Sequence, residues 1–367
     1  MDQLHSSAPL SAVILAGGEG SRMRSERPKP LHRLCGRPML TYVLDSLAEV
    51  HADRAVIVVG HKGDWVTKKM QEQSHDVALE FVEQAVQRGT GDATLVGLVG
   101  LPDDSDEDDV IVLPGDAPLL RSATVVELLA RHRSSGAAAT VLSARMEDPT
   151  GYGRVVRGKD DRVTRIVEHR DATDEELLLD EVNTSIYVFR RSLLAPALRR
   201  IEPDNSQGEY YLTDVVEVLA SAGHRVEAMV VADAAETQGI NDRLQLASAE
   251  AELRRRTNES LLRSGVTIVD PSAVYVDTTV VVGTDVTLFP GVILQGSTVI
   301  GDGCEVGPNT QLIDTVVGAD CVVQATTADN SVVGDRCIIG PYASLAPGSE
   351  VPSDSITGPF YTAHSAL

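Results

Sequence analysis

The chain has 367 residues, a formal net charge of -22, 43% hydrophobic residues and 4% aromatics. That length exceeds one ordinary core and predicts two domains, while the acidity excludes nucleic acid and anionic membrane as partners. No run approaches the roughly 20 apolar residues that span a bilayer, residues 1–9 carry no secretory pattern, and the four cysteines lack C-x-x-C spacing, as reduced thiols of a cytoplasmic protein do.

Residues 12–15 read as a first buried strand, and Gly17, Gly18 and Gly20 follow it. Glycines there let the backbone turn tightly and approach a ligand, and successive amides in such a turn form an anion-binding concavity. Arg22, Arg24, Arg27 and Lys29 then place four cations within eight residues of an acidic chain. A polyphosphate is the natural guest; a solvated basic loop is the plain alternative. The G-x-G-x-x-G spacing of a dinucleotide site is missing, and so is the Gly-Lys-Ser/Thr of a Walker loop.

To about residue 240, short β-branched runs alternate with helix-like segments. Residues 55–60 and 110–115 are near-continuous apolar runs, as expected of strands buried on both faces, and segments 37–50, 62–75, 91–101 and 122–134 carry helical spacing. This predicts an α/β domain over residues 10–240, a doubly wound, mostly parallel sheet with ligands beyond the carboxyl ends of its strands. Gln84 ends one strand, where its amide could read a base edge; Gly89 and Thr90 open a helix whose amino end favours anions, or simply form a capped turn. Asp116, after Gly115 at the next strand end, is either a hard oxygen ligand for Mg2+ beside a triphosphate or a cap for the helix at 122.

Leucines and alanines among charges over 241–264 predict one long linker helix, ended by Gly265. Beyond it the period changes. Aliphatic-Gly pairs recur at Val282-Gly283, Ile300-Gly301, Val306-Gly307, Val317-Gly318, Val333-Gly334 and Ile339-Gly340. Hexapeptide repeats of this kind stack short strands into a β-helix, about five coils over residues 265–358.

Gly-Gly-x-Gly-Ser-Arg-Met followed by Pro-Lys resembles the signature of the sugar-1-phosphate nucleotidylyltransferases. Later stretches narrow the likeness to the bifunctional N-acetylglucosamine-1-phosphate uridylyltransferase/glucosamine-1-phosphate acetyltransferase family, over nearly the whole chain. The resemblance implies that the loop at Leu15, Ala16, Gly17 and Gly18 wraps a nucleoside triphosphate, with Arg22 and Lys29 neutralising its phosphates as catalytic groups. It places Gln84, Gly89 and Thr90 against uracil, with Asp92 where the family usually has histidine. Asp116, in its Gly-Asp-x-Pro-Leu setting, is implied to be catalytic and to share Mg2+ with Asn241, which would otherwise be a plain N-cap. Gly153, Glu168, Asn183, Tyr211 and Thr213 are implied to hold the acetamido sugar 1-phosphate, and Ser185 replaces a glycine there.

The β-helix is implied to be left-handed and to build a homotrimer. Ala346 stands where the family has an arginine of the acetyltransferase region, and the family's later lysine, histidine and asparagine have no counterpart, so no acetyltransferase activity is expected. Gly17 and Pro30 are more like thymidylyl-, adenylyl- and guanylyltransferases. With Ser185, they keep open another triphosphate and a modified sugar or cyclitol phosphate. A non-catalytic regulatory subunit and a hexapeptide acyltransferase are the alternatives of other classes.

Overall fold

The computed structural model describes residues 9–73, 75–102 and 108–363; most of the stretch scanned for a leader, residues 1–8, lies outside them. Contacts divide the chain into two compact units, one running to His32 and from Pro38 to Gln245, the other comprising Arg33–Arg37 and the chain from Leu246 onward.

Strand β1 (Leu10–Ala16) is followed by the two-residue strands β2 (Arg33–Leu34) and β3 (Arg37–Pro38), helix α1 (Met39–Asp45), β4 (Arg54–Val59), α2 (Gly63–Gln71), β5 (Ala78–Glu83) and α3 (Thr90–Val99). Next come β6 (Asp109–Pro114), α4 (Ser122–Ser135), β7 (Ala139–Arg145), β8 (Arg154–Arg157), β9 (Val163–Val167), the one-turn α5 (Asp174–Leu177), β10 (Glu181–Arg190), α6 (Arg191–Leu198), α7 (Asp214–Ser221) and β11 (Val226–Val230).

A nine-stranded sheet has the order β11-β7-β10-β6-β1-β4-β5, with β8 added to β10 and β9 to β8. The strands β6, β1, β4 and β5 are parallel neighbours, as are β11 and β7. One strand departs from the parallel pattern: β10 runs antiparallel between β6 and β7. A strand buried on both faces shows the same apolar run in either direction, so its local pattern carries no polarity.

Strand alternation sends Ala12, Ile14 and Ala16 to one face and Val13 to the other. The first face is covered by α1, α2 and α4 through Leu40, Val43, Val66, Met70 and Leu128. On the second lie α3, α6 and α7, through Ala93, Leu98, Leu194, Val215 and Val216. Each fully buried aliphatic side chain contributes about 1.5–3 kcal/mol. With both faces covered, the carboxyl edge of the parallel strands is where a ligand finds open backbone.

Helix α8 (Arg243–Arg263) leads into the second unit, and Gly265 then takes a left-handed φ of 100° while Val266 returns its amide to the Leu261 carbonyl. Short strands from Thr267–Ile268 to Thr362–Ala363 stack into three parallel sheets of five, six and five strands. These are the coils that the repeats predict, consistent with a left-handed β-helix. Leu288, Val306, Val323 and Ile339 fill the interior from one sheet, and Leu294, Leu312 and Leu345 from the next. Corners fall on Asp285, Asn309, Asp314, Asp320 and Asn330, all left-handed, a conformation that Asn and Asp tolerate better than most residues. Cys304, Cys321 and Cys337 stack in successive coils, the Cys321 and Cys337 amides donating to the sulfur one coil earlier at 3.4 and 3.3 Å. None of the four cysteines is in a disulfide. No helix among the described residues is long and apolar enough to cross a membrane.

Candidate active site

A cleft of about 380 Å³ lies beyond the carboxyl ends of β1 and β6. Its floor is Leu15, Ala16, Gly17 and Gly18, and one wall is Gln84, Gly89 and Thr90. Lys29, Gly115 and Asp116 stand on another side, and Glu168 and Thr213 at the far end.

Close backbone approach explains two of the glycines. A Cβ on Gly60, at the end of β4, would sit 2.3 Å from the Gly17 carbonyl, so the loop after β1 rests directly on its neighbour. Gly89 has φ 111° and packs its α-carbon against Tyr210, where a Cβ would meet the carbonyl at 2.5 Å. Arg88 and Gly91 exchange backbone bonds with Tyr210 at 2.8 Å, and Thr90 Oγ1 accepts the Leu212 amide at 3.0 Å. The start of α3 is thereby stitched to the segment carrying Thr213.

Lys29 lies in a 3-10 turn between Pro28 and Pro30. Its Nζ donates to the Asp116 carboxylate and, at 2.8 Å, to Asn241 Oδ1. Asp116, two residues past β6, accepts the Ile240 amide on its backbone carbonyl at 2.9 Å, which brings the Asn241 segment alongside. Two oxygens from distant parts of the chain thus converge on one cation. Asp242 rather than Asn241 caps α8, its Oδ1 accepting the Gln245 amide at 2.9 Å. Asp116 does not cap α4 either, since Arg121 occupies that position.

Glu168 follows β9 and is half-buried; Thr213 Oγ1 donates to its Oε1 at 3.1 Å. Burial pushes the Glu168 carboxyl up, against the lowering effect of the Thr213 bond, and the Asp171 charge adds to the rise. Asp214 is pushed up to about 6 by burial and then by the charges of Glu168, Glu217 and Asp171. Tyr152 is raised by burial and by the charge of Asp116. At this end of the cleft burial thus disfavours the charged form of Glu168, whose carboxyl is suited to hydrogen-bonding hydroxyls and amides.

Five expected site residues do not line the cleft. Arg22 is exposed in the turn Ser21–Met23, between left-handed Gly20 and Arg24. Asn241 reaches the cleft only through Lys29. Gly153 accepts the Asn183 amide at 2.8 Å, and a Cβ on it would lie 3.5 Å from Glu168 Oε2. The Asn183 side chain is engaged within the protein, its Oδ1 by the Ser185 amide at 3.1 Å and its other end by Tyr187. Tyr211 is mostly buried and pairs its hydroxyl with Gln207 at 2.7 Å.

Other residues line the cleft without having been singled out as ligands. Gln87 donates its side-chain amide to the Gly17 carbonyl. Ser185 sits in a bulge of β10 with φ 62°, beside Tyr187. Pro30, Ala93, Pro114, Glu209 and Leu212 complete the lining. No periodicity marks these positions, because the bulge and the loop crossings that bring them here are set by tertiary packing.

A glycine loop at the end of the central parallel strand, facing a lysine held by an acid and an amide, defines a nucleotidyltransferase. The chain belongs to the nucleotidyl transferase family, whose description matches residues 11–237, and it is in class a sugar-1-phosphate nucleotidyltransferase. It is 46% identical over 327 residues to the bifunctional protein GlmU of Thermobifida fusca, covering 89% of this chain and 67% of that protein. The bifunctional proteins GlmU of Streptomyces avermitilis and Streptomyces coelicolor are 44% and 45% identical over 359 residues, covering 98% of this chain and 74% of each.

Proposed function

We propose that the protein transfers a uridylyl group from UTP to an N-acetylhexosamine 1-phosphate, releasing pyrophosphate. The observation that carries this is the meeting of Lys29, Asp116 and Asn241 at the mouth of a cleft built from the glycine loop and Gln84. An oxygen of the sugar phosphate attacks the α-phosphorus in line, a new P–O bond forms, and the bond to the β-phosphate oxygen breaks. The nucleophile is already anionic, so no general base or covalent intermediate is needed. Positioning and charge stabilisation then supply the rate.

Amides of the loop after β1 bind the phosphates. Lys29, and Arg22 from the adjoining turn, offset the charge that collects on the leaving pyrophosphate. Glu168 and Thr213 take the sugar hydroxyls and acetamide, with Gly153, Asn183 and Tyr211 supporting that wall. The donor set fits magnesium. No cluster of three acidic, histidine or cysteine side chains occurs among the described residues, but Mg2+ beside phosphates takes only one or two protein oxygens. Asp116 and Asn241, which already share one cation, would hold it, and when bound it would neutralise phosphate charge between the two substrates.

The β-helix is proposed to trimerise. Val281, Val316 and Val332 form an exposed aliphatic ladder on one sheet, in register with Val299. The four cysteines, none of them in a disulfide, accord with a cytoplasmic setting. Ser185, left-handed at the cleft wall, favours a second version of the same chemistry, with a differently substituted acceptor. A panel of UTP, CTP, GTP, ATP and dTTP against several sugar and cyclitol phosphates, scored by pyrophosphate release, tests both. UTP with N-acetylhexosamine 1-phosphate should be the fastest pair. Absence of release with every pair refutes nucleotidyl transfer.

A further inference from the structure

We propose that Asp92 is a positioning residue that fixes which end of the Gln84 amide faces the nucleobase, and so restricts the cleft to bases with an imide or lactam edge. The inference rests on the nucleotidyl-transfer proposal above and adds the device that selects the base.

Gln84 is 6% exposed. Its Nε2 donates to Asp92 Oδ2 at 2.8 Å and to the Gly89 carbonyl at 3.3 Å. Both partners are acceptors only. A reversed amide would set Oε1 against a carboxylate and a carbonyl with no proton between them, so the chemistry allows one orientation. Arg88 holds the other carboxylate oxygen of Asp92 at 2.9 Å, which keeps that carboxylate aimed at Gln84.

With Nε2 committed, Oε1 is the end left for the cleft. It points toward the glycine loop: a Cβ built on Gly17 would lie 3.7 Å from it. Beside it α3 begins, and the first amides of a helix have no partner within the helix; that of Gly91 goes to the Tyr210 carbonyl, while Gly89 and Thr90 line the same wall as Gln84. The rim therefore offers an acceptor next to backbone donors. Its complement is a –CO–NH– edge, which gives its N–H to Gln84 and takes a backbone amide on its carbonyl. Uracil, thymine and guanine present that edge. Cytosine and adenine present a bare ring nitrogen beside an amino group, the reverse order. With the triphosphate anchored along the glycine loop, the base has no freedom to slide and exchange the two. Without Asp92, Gln84 is free to rotate and offers either end.

Titration calorimetry of UTP and CTP into the wild type, Asp92→Ala and Asp92→Asn, run beside pyrophosphate-release kinetics, separates the possibilities. The wild type should prefer UTP by at least about tenfold, the range of one paired base contact. Asp92→Ala should bring that ratio to within about threefold of unity, with the kinetic change falling on the KM values rather than on kcat. Asp92→Asn keeps an oxygen for the Gln84 amide and should retain the preference. The inference is overturned if Asp92→Ala keeps the wild-type ratio, or if Asp92→Asn loses it to the same extent. Pyrophosphate release judges nucleotidyl transfer separately: selective UTP binding without release would sink that function, and the binding ratios would still decide the role of Asp92.

Discussion

Lys29→Ala is the substitution on which the proposed chemistry turns. The Lys29 side chain is 13% exposed and its partner Asp116 25% exposed, so water screens the ammonium only in part. A unit charge about 4 Å from another, at an effective dielectric near 20, interacts with about 4 kcal/mol. Removing one preorganised group that stabilises transition-state charge costs about 3–4 kcal/mol, roughly a hundredfold to a thousandfold in kcat. The fold should tolerate the change. Pro28 and Pro30 set the backbone on either side, and the turn is closed by main-chain bonds from Leu31 to Pro28 and from His32 to Lys29 at 3.0 and 3.2 Å. Asp116 keeps its backbone bond to Ile240 and enough solvent contact to hydrate its charge. The assay is steady-state pyrophosphate release at saturating UTP, Mg2+ and sugar 1-phosphate, with thermal melting in parallel. The expected result is a loss of at least a hundredfold in kcat with Tm within a few degrees of wild type. Turnover within about fivefold of wild type would refute a role for Lys29 in stabilising the reacting phosphates.

The other predictions address the sugar end and the β-helix. The Asp214 carboxyl stands raised from 3.8 to about 6, so the folded state holds its proton more tightly than the unfolded chain and wild-type stability falls as pH rises between about 4 and 6. Asp214→Asn should flatten that part of a Tm-against-pH curve, and an unchanged slope would refute the assignment. Ser185→Gly relieves a left-handed side chain costing about 1–2 kcal/mol but adds about 0.5–1 kcal/mol of backbone entropy. Tm should therefore move little, while the KM for bulkier sugar phosphates falls; a KM unchanged across the acceptor series would remove Ser185 from the acceptor site. Val316→Glu puts a charge into the exposed ladder of Val281 and Val332, and sedimentation should show a trimer giving way to monomer with the fold of each chain retained.

How much of this was legible in the chain depends on whether a feature is local. Gly17, Gly18 and Gly20 after an aliphatic strand, and Asp116 after another, announce themselves because the chemistry of a strand end is written in consecutive residues. The hexapeptide period is equally local, and the coils follow it. The antiparallel course of β10 was not legible, since Val188 and Phe189 are buried on either side of the sheet whichever way the strand runs. The bulge between Asn183 and Ile186 has no marker either, and it is this bulge that turns Ser185 outward beside Tyr187 while Asn183 is tied to both.

The same distinction explains why the lysine and its two oxygens are linked in the sequence by the family resemblance alone and by no local pattern. Each is an ordinary residue in an ordinary turn: Lys29 between prolines, Asp116 past a strand, Asn241 ahead of a helix. Their relation arises from the sheet order, which places β6 next to β1, and from one backbone bond between Ile240 and Asp116. A site assembled this way depends on the fold more than on its own segments. Substitutions that weaken the β6–β1 pairing should therefore lower kcat before they unfold the protein, whereas substitutions within the β-helix that leave this sheet intact should change assembly and leave the intrinsic rate per chain alone.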